Sequence, residues 1–326
     1  MKIFNEFLYR KNILSYFFKN LFKHKMLNLW LEIKKLFQKN MEIQKNNDGY
    51  ESLVITEKTI DVRKLIYDRN PKLAKWIPKF LLRFLERLIH QKEINETLYR
   101  NKDKQGLDAV EAFLNDFGVI VKTHNIENIK DENRFLLVSN HPLGGVDGLA
   151  LMKSVGRVKP PICFPVNDFL LYLPNISELF IPINKIGSQS TANARKFDEA
   201  FLSEKNILFF PAGLASRKIK GKIVDTEWKK TFVQKARSYQ RNVIPVFIDG
   251  RNSNRFYRLA KWRKFFRIKF NIEMLFLPDE TFKQKGKTIN IYFGKPIPYT
   301  LFDNSKKDIE WAQYVKEIVY NLKQNL

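Results

Sequence analysis

Phe135-Leu136-Leu137-Val138-Ser139 runs without interruption into Asn140-His141-Pro142-Leu143-Gly144-Gly145-Val146-Asp147-Gly148. The first five residues are apolar or small, too few for a helix, and read as a buried strand. The polar residues and glycines that follow lie at that strand's carboxyl end, where open α/β sheets place their sites. Working outward, residues 162–166, 179–183, 207–210 and 243–248 are further short apolar runs bounded by Pro, Gly or Asn. Helical patterns at 148–155, 191–202 and 227–239 lie between several of them. Such alternation predicts an α/β fold with a mostly parallel, mixed sheet flanked by helices. Residues 272–277 and 289–293 are expected to add late strands, and 308–322 a closing amphipathic helix. Pro245 interrupts the 243–248 run, so it is expected at an edge or a bulge.

The amino-terminal part is organised differently. In residues 1–40 lysines and arginines outnumber acids nine to two, and apolar residues recur at spacings of three and four. A basic amphipathic helix with Phe, Leu and Trp30 suits a membrane interface; the alternative is an appendage, or an upstream extension with the start at Met41. Residues 41–52 are polar and read as a linker. The region 41–125 is expected to be helical, with one helix after Pro78 carrying a stripe of Phe80, Leu81, Phe84, Leu85, Leu88 and Ile89. That stripe fits core packing better than a second interfacial face. Residues 106–117 make another helix, stopped by Gly118. Residues 126–326 form the α/β domain.

Chemistry concentrates in the loop after 135–139. His141 can serve as a general base near neutral pH. Asp147 is six residues on, across a proline and two glycines, close enough for its carboxylate to return to one imidazole nitrogen. It would then fix the tautomer and leave the other nitrogen to take a proton. Backbone amides at Gly144 and Gly145 are candidate donors to an oxyanion. The alternative is a turn in which Asp147 only caps the following helix. A second cluster, Phe210-Pro211-Ala212-Gly213-Leu214-Ala215-Ser216-Arg217, follows the 207–210 run and presents Ser216 and Arg217.

These blocks, with Val243-Ile244-Pro245-Val246, resemble the phospholipid and lysolipid acyltransferase superfamily over about residues 130–300. That family carries Asn-His, a spacer and Asp first, Phe-Pro-Glu-Gly with a following Ser third, and a Val/Ile-Pro-Val/Ile strand fourth. The resemblance implies that His141 deprotonates an acceptor that attacks an acyl thioester, with Asp147 supporting it. It implies acceptor contacts from Asn140, Gly144, Gly145, Gly213, Ser216 and Arg217, and from Lys185 in the second block, Leu179-Phe180-Ile181-Pro182-Ile183-Asn184-Lys185. The co-substrate would be acyl carrier protein or coenzyme A thioester, with no other cofactor and no metal. Two departures stand out. The His–Asp spacer has five residues rather than four, and Ala212 replaces the glutamate. The second implies a different head group. The form of both blocks looks like the branch near ornithine- and glycine-lipid O-acyltransferases, with an N-acyl amino acid lysolipid as acceptor, lysophosphatidate being the other option. Work at the cytoplasmic face of a bacterial inner membrane, as a peripheral protein, would follow.

Composition fits this. The chain has 326 residues and a formal charge of +24, which implies an anionic partner, nucleic acid or an anionic membrane surface, the alternative being a compositional bias that also makes Asn, Ile and Phe abundant. No apolar run reaches the roughly 18 residues of a membrane span. The single cysteine, Cys163, permits no internal disulfide. Between residues 251 and 269 eight Lys and Arg occur without an acid, interleaved with Phe256, Tyr257, Trp262, Phe265 and Phe266. That mixture suits an anionic membrane surface. It would also suit an acidic acyl carrier protein, a nucleic-acid backbone, or a basic helix with core aromatics. A nucleic-acid-binding protein is the rival reading, but it leaves the His–Asp and Phe-Pro-Ala-Gly loops idle, so no nucleic acid is expected. A catalytically inactive lipid-binding module is the other alternative.

Overall fold

A computed structural model describes residues 55–323 except 57, 70, 72–74, 76, 167–172, 183–190 and 269–270. The segment 1–40 and Lys185 therefore lie outside the described residues. The strands are β1 (Ile120–His124), β2 (Leu136–Ser139), β3 (Ile162–Val166), β4 (Phe180–Pro182), β5 (Asn206–Phe209), β6 (Arg217–Ile219), β7 (Lys222–Val224), β8 (Val243–Asp249) and β9 (Thr288–Phe293). Seven of them form one sheet in the order β1-β9-β8-β2-β5-β3-β4, while β6 and β7 pair as a separate antiparallel hairpin. Every pairing in the large sheet is parallel except β8 with β9. The expected mixed, mostly parallel α/β architecture is the one observed.

The helices are α1 (Val62–Arg69), α2 (Lys79–Leu88), α3 (Gln91–Arg100), α4 (Gly106–Asp116), α5 (Gly145–Gly156), α6 (Thr191–Leu202), α7 (Thr231–Ser238), α8 (Asn254–Phe265), α9 (Leu277–Phe282) and α10 (Asp308–Asn321). The strand pleat explains how they are distributed, because neighbouring side chains leave opposite faces. Leu137 joins a core with Phe113 and Leu114 of α4 and Val146 and Ala150 of α5. Leu136 and Val138 join another with Phe201 of α6, Phe232 of α7 and Trp311 and Val315 of α10. All four residues of β2 are fully buried, so this strand is the centre of the molecule.

Three expectations are corrected. Residues 120–124, expected in a helical region, form β1, paired with β9, and α4 packs into the sheet's own core. β1 carries Lys122 and Thr123 on an edge whose residues are all exposed or half-buried, and so lacks the apolar run by which its neighbours are recognised. Residues 272–277 are not a strand but a 3-10 turn, Ile272–Phe276, leading into α9. Pro278 at the start of that helix, with Asp279 and Glu280 in its first turn, is a helix-start signature that outweighs the apolar run. The stripe expected to pack in the core is divided: Leu85 and Leu88 are buried and Leu81 and Ile89 half-buried, but Phe80 and Phe84 are exposed, and Leu82, outside the stripe, is buried too.

Pro245 is on a strand paired on both sides, yet at a break in one ladder. Between the pairs Val246–Phe293 and Val243–Ile297, four steps on the β9 side oppose three on β8, which is a bulge. Gly294 donates to the Pro245 carbonyl at 2.8 Å, and a Cβ there would come within 2.9 Å of the proline ring. Among the described residues no helix is long and apolar enough to cross a membrane.

Candidate active site

β5 and β8 both run parallel to β2, so the three carboxyl ends share one edge of the sheet. β2 delivers Asn140 and His141 there, β5 delivers Phe210, and β8 ends at Ile248 and Asp249. The Asn140 carboxamide closes the first gap. Its Nδ2 donates to the Ile248 carbonyl at 2.9 Å and its Oδ1 accepts the Ile248 amide at 2.7 Å. Phe210 closes the second by stacking on the His141 ring, centroids 4.0 Å apart. The imidazole is thus held between two strand ends, with 15% of its side-chain surface exposed.

His141 Nδ1 lies 3.0 Å from Asp147 Oδ2. The same oxygen accepts the amides of Leu143 at 2.8 Å and Gly144 at 3.0 Å. An ionised carboxylate only accepts, so Nδ1 carries the hydrogen, and in the neutral ring Nε2 is the nitrogen with the lone pair. Asp147 is fully buried at the start of α5. Burial pushes its carboxyl up, and the contacts to His141, Leu143 and Gly144 pull it back down. The five-residue spacer fits because Gly144 takes φ +94°, a conformation open to glycine and unfavourable to other residues. Leu277 of α9 packs over this turn, within 2.9 Å of where a Cβ would stand.

Beneath the histidine is a group that the sequence reading missed. Asp225, between β7 and Trp228, is buried. Its Oδ1 accepts the backbone amide of His141 at 3.2 Å and the Ser216 hydroxyl at 2.5 Å, and its Oδ2 accepts Trp228 Nε1 at 2.8 Å. The Tyr320 hydroxyl accepts the Asp225 amide at 2.7 Å, and Lys316 donates to the Asp225 carbonyl at 2.9 Å. Ser216 N donates to the His141 carbonyl at 2.7 Å. Burial raises the Asp225 carboxyl, against the pull of Ser216 and Trp228. The carboxylate thereby ties the histidine loop to the loop after β5, while α10 holds the backbone of the same residue. A lone Asp beside a short hairpin carries no sequence signal of such a role.

A buried His–Asp pair on a glycine turn, at the carboxyl edge of a parallel sheet, has the chemistry to take a proton from a nucleophile. The sequence profile of a family described as Acyltransferase matches residues 64–326. The chain belongs to this acyltransferase family. It is 46% identical over 264 residues to the lyso-glycine lipid O-acyltransferase of Bacteroides thetaiotaomicron, covering 81% of this chain and 97% of that one. To the protein of the same description in Phocaeicola vulgatus it is 43% identical over 264 residues, covering 81% and 95%. Among solved structures, the 1-acyl-sn-glycerophosphate acyltransferase PlsC of Thermotoga maritima is similar over 74% of this chain and 95% of that one, with 16% identity and a TM-score of 0.40.

In this acyltransferase several residues expected to touch the acceptor turn out to hold the frame. Ser216 is buried and its hydroxyl faces Asp225. Arg217 is 5% exposed; its Nη2 donates to Glu273 Oε1 at 2.8 Å, its Nη1 to the Ala215 carbonyl. Its charge is paired inside the protein, with Glu273. Arg263 approaches the same Glu273 at 3.0 Å from α8. Asn140 is likewise committed to Ile248, and Gly213, at φ +65°, closes the turn after β5 by donating to the Phe210 carbonyl at 3.0 Å. The Gly144 amide is spent on Asp147, which removes it as an oxyanion donor. Gly145, exposed in the first turn of α5, presents an amide that has no partner within the helix. Ala212 is buried.

Proposed function

We propose that this enzyme transfers a fatty acyl group from a thioester, on acyl carrier protein or coenzyme A, to the hydroxyl of a lysolipid, and that the lysolipid is an N-acyl amino acid of the lyso-glycine lipid kind. The observation that carries this is the 46% identity, over nearly the whole length of the relative, to a lyso-glycine lipid O-acyltransferase. Ala212 supports it: a small buried residue stands where the acyltransferases of glycerol phosphate have a carboxylate.

In this reading the acceptor hydroxyl gives its proton to Nε2 of His141 as its oxygen bonds to the thioester carbonyl carbon. The carbonyl π electrons move to oxygen, and the Gly145 amide receives the resulting anion. Collapse breaks the carbon–sulfur bond, and the thiolate leaves with the proton held on His141. Asp147 keeps the ring in the tautomer that accepts, and stabilises the transient imidazolium. Both substrates meet at an anionic membrane surface, on the cytoplasmic face of the inner membrane where such thioesters are made, with the protein bound peripherally.

The test is acyl transfer by the purified full chain. Each donor class is paired with lyso-glycine lipid, lyso-ornithine lipid and lysophosphatidate, and products are read by mass spectrometry. A diacyl product formed predominantly from lyso-glycine lipid is expected. Equal or better use of lysophosphatidate would overturn the acceptor assignment.

A further inference from the structure

α8 has two faces that the sequence does not separate. Phe256, Tyr257 and Ala260 are buried against the molecule. Arg258, Lys261, Trp262 and Phe265, at positions i, i+3, i+4 and i+7, form one outward stripe. Trp262 is 62% exposed and Phe265 69%, and Phe266 follows at 42%. Aromatics of this size side by side in water forfeit burial worth about 1.5–3 kcal/mol each. From 251 to 268 the chain carries no acid. The aromatics of this segment thus divide: two are core, and three are not.

The pattern recurs on α2. Leu82 and Leu85 pack on Val62 and Ile66, while Phe80, Arg83, Phe84 and Arg87 repeat the i, i+3, i+4, i+7 spacing on the exposed side. Phe80 is 72% exposed. Both helices are anchored to the edge that carries His141. α8 is capped by the side chain of Ser253, just beyond the carboxyl end of β8. Glu273, held by Arg217 and Arg263, clamps its far half to the hairpin after Ser216. His90, in the turn between α2 and α3, lies 3.1 Å from Asp279 of α9 and stacks on Phe282. α9 in turn covers Gly144.

We propose that the outward stripe of α8, assisted by that of α2, is the surface by which this enzyme docks on an anionic lipid bilayer. The aromatics enter the interface and the cations meet the head groups. Docking there places the lipid surface beside the His141 loop, where an amphipathic acceptor leaves the bilayer by the shortest route. This deepens the reading of the acceptor as a lysolipid, but the surface is tested without it.

The experiment is co-sedimentation of the full chain with vesicles of phosphatidylcholine containing phosphatidylglycerol, and with vesicles of phosphatidylcholine alone. Wild type is expected to prefer the anionic vesicles and to be released by salt. Trp262→Ala with Phe265→Ala, and separately Arg258→Glu with Lys261→Glu, are each expected to weaken anionic-vesicle binding at least tenfold. Transfer to a short-chain, water-soluble lysolipid is expected to stay near wild type in both, since none of these residues belongs to the site. Wild-type vesicle binding by both double variants would overturn the proposal. So would loss of binding to acidic acyl carrier protein with vesicle binding retained, which would make the face a carrier-docking surface. Absence of transfer by wild type would count against the acceptor reading and leave the vesicle result standing.

Discussion

At the scale of single residues, Asp147 and Asp225 grip the histidine from two sides, one by its ring and one by its backbone. His141→Ala is expected to cut acyl transfer at least ~10²-fold, the contribution of a positioned base, with an unchanged far-ultraviolet circular dichroism spectrum. Asp147→Asn separates catalysis from stability. Burial raises the Asp147 carboxyl in the folded state, so the fold binds that proton more readily than the unfolded chain does. The ionised form therefore costs folding free energy, fully above the folded pKa, and the cost vanishes as pH falls below the unfolded value. Asp147→Asn should lose transfer by up to about 10⁴-fold, yet be no less stable than wild type at neutral pH. That stability difference should shrink on acidification, as read from denaturant midpoints across pH. Asp225→Asn replaces an acceptor of three hydrogen bonds by a group that can accept at only one end. It should lower kcat by about 10–100-fold through a shifted histidine, with KM for the acceptor nearly unchanged. An equal rise in KM would show that Asp225 shapes the acceptor pocket instead.

At the scale of elements, the turn at Gly144 and the clamp at Glu273 are the vulnerable parts. Gly144→Ala puts a side chain at φ +94° and against Leu277. It should cost ~1–3 kcal/mol and reduce transfer as well, because the same turn aims Asp147. Glu273→Gln leaves Arg217 buried without a counter-charge, which should cost about 3 kcal/mol or more in chemical denaturation. What could be read in the sequence follows from the same physics. β2, β3, β5 and β8 announce themselves because strands buried on both faces are continuous apolar runs. β1 hides because an edge strand has no such need. The His–Asp pair was legible because both partners lie in one short loop. Asp225 was not, since the hydrogen bonds that define it come from residues up to 95 positions away. Ser216 and Arg217 drew attention as polar residues after a strand, and periodicity gives no means of seeing that Asp225 and Glu273 absorb them.

At the scale of the whole molecule, a central strand buried on both faces, with its neighbours' carboxyl ends on one edge, leaves that edge as the place where chemistry can be exposed without breaching the core. The charge of +24 was legible as an appetite for anions. Its layout was not, because whether Trp262 or Phe256 faces water depends on which side of α8 meets the 3-10 turn at Ile272–Phe276 and the β6 strand. The account stands or falls on His141 acting as the base in a transfer to a lysolipid hydroxyl. The most direct measurement is acyl transfer to lyso-glycine lipid by the full chain, wild type beside His141→Ala, with the diacyl product followed by mass spectrometry. A product formed by wild type and lost from a folded His141→Ala is the predicted result. Near-wild-type transfer by His141→Ala would contradict it.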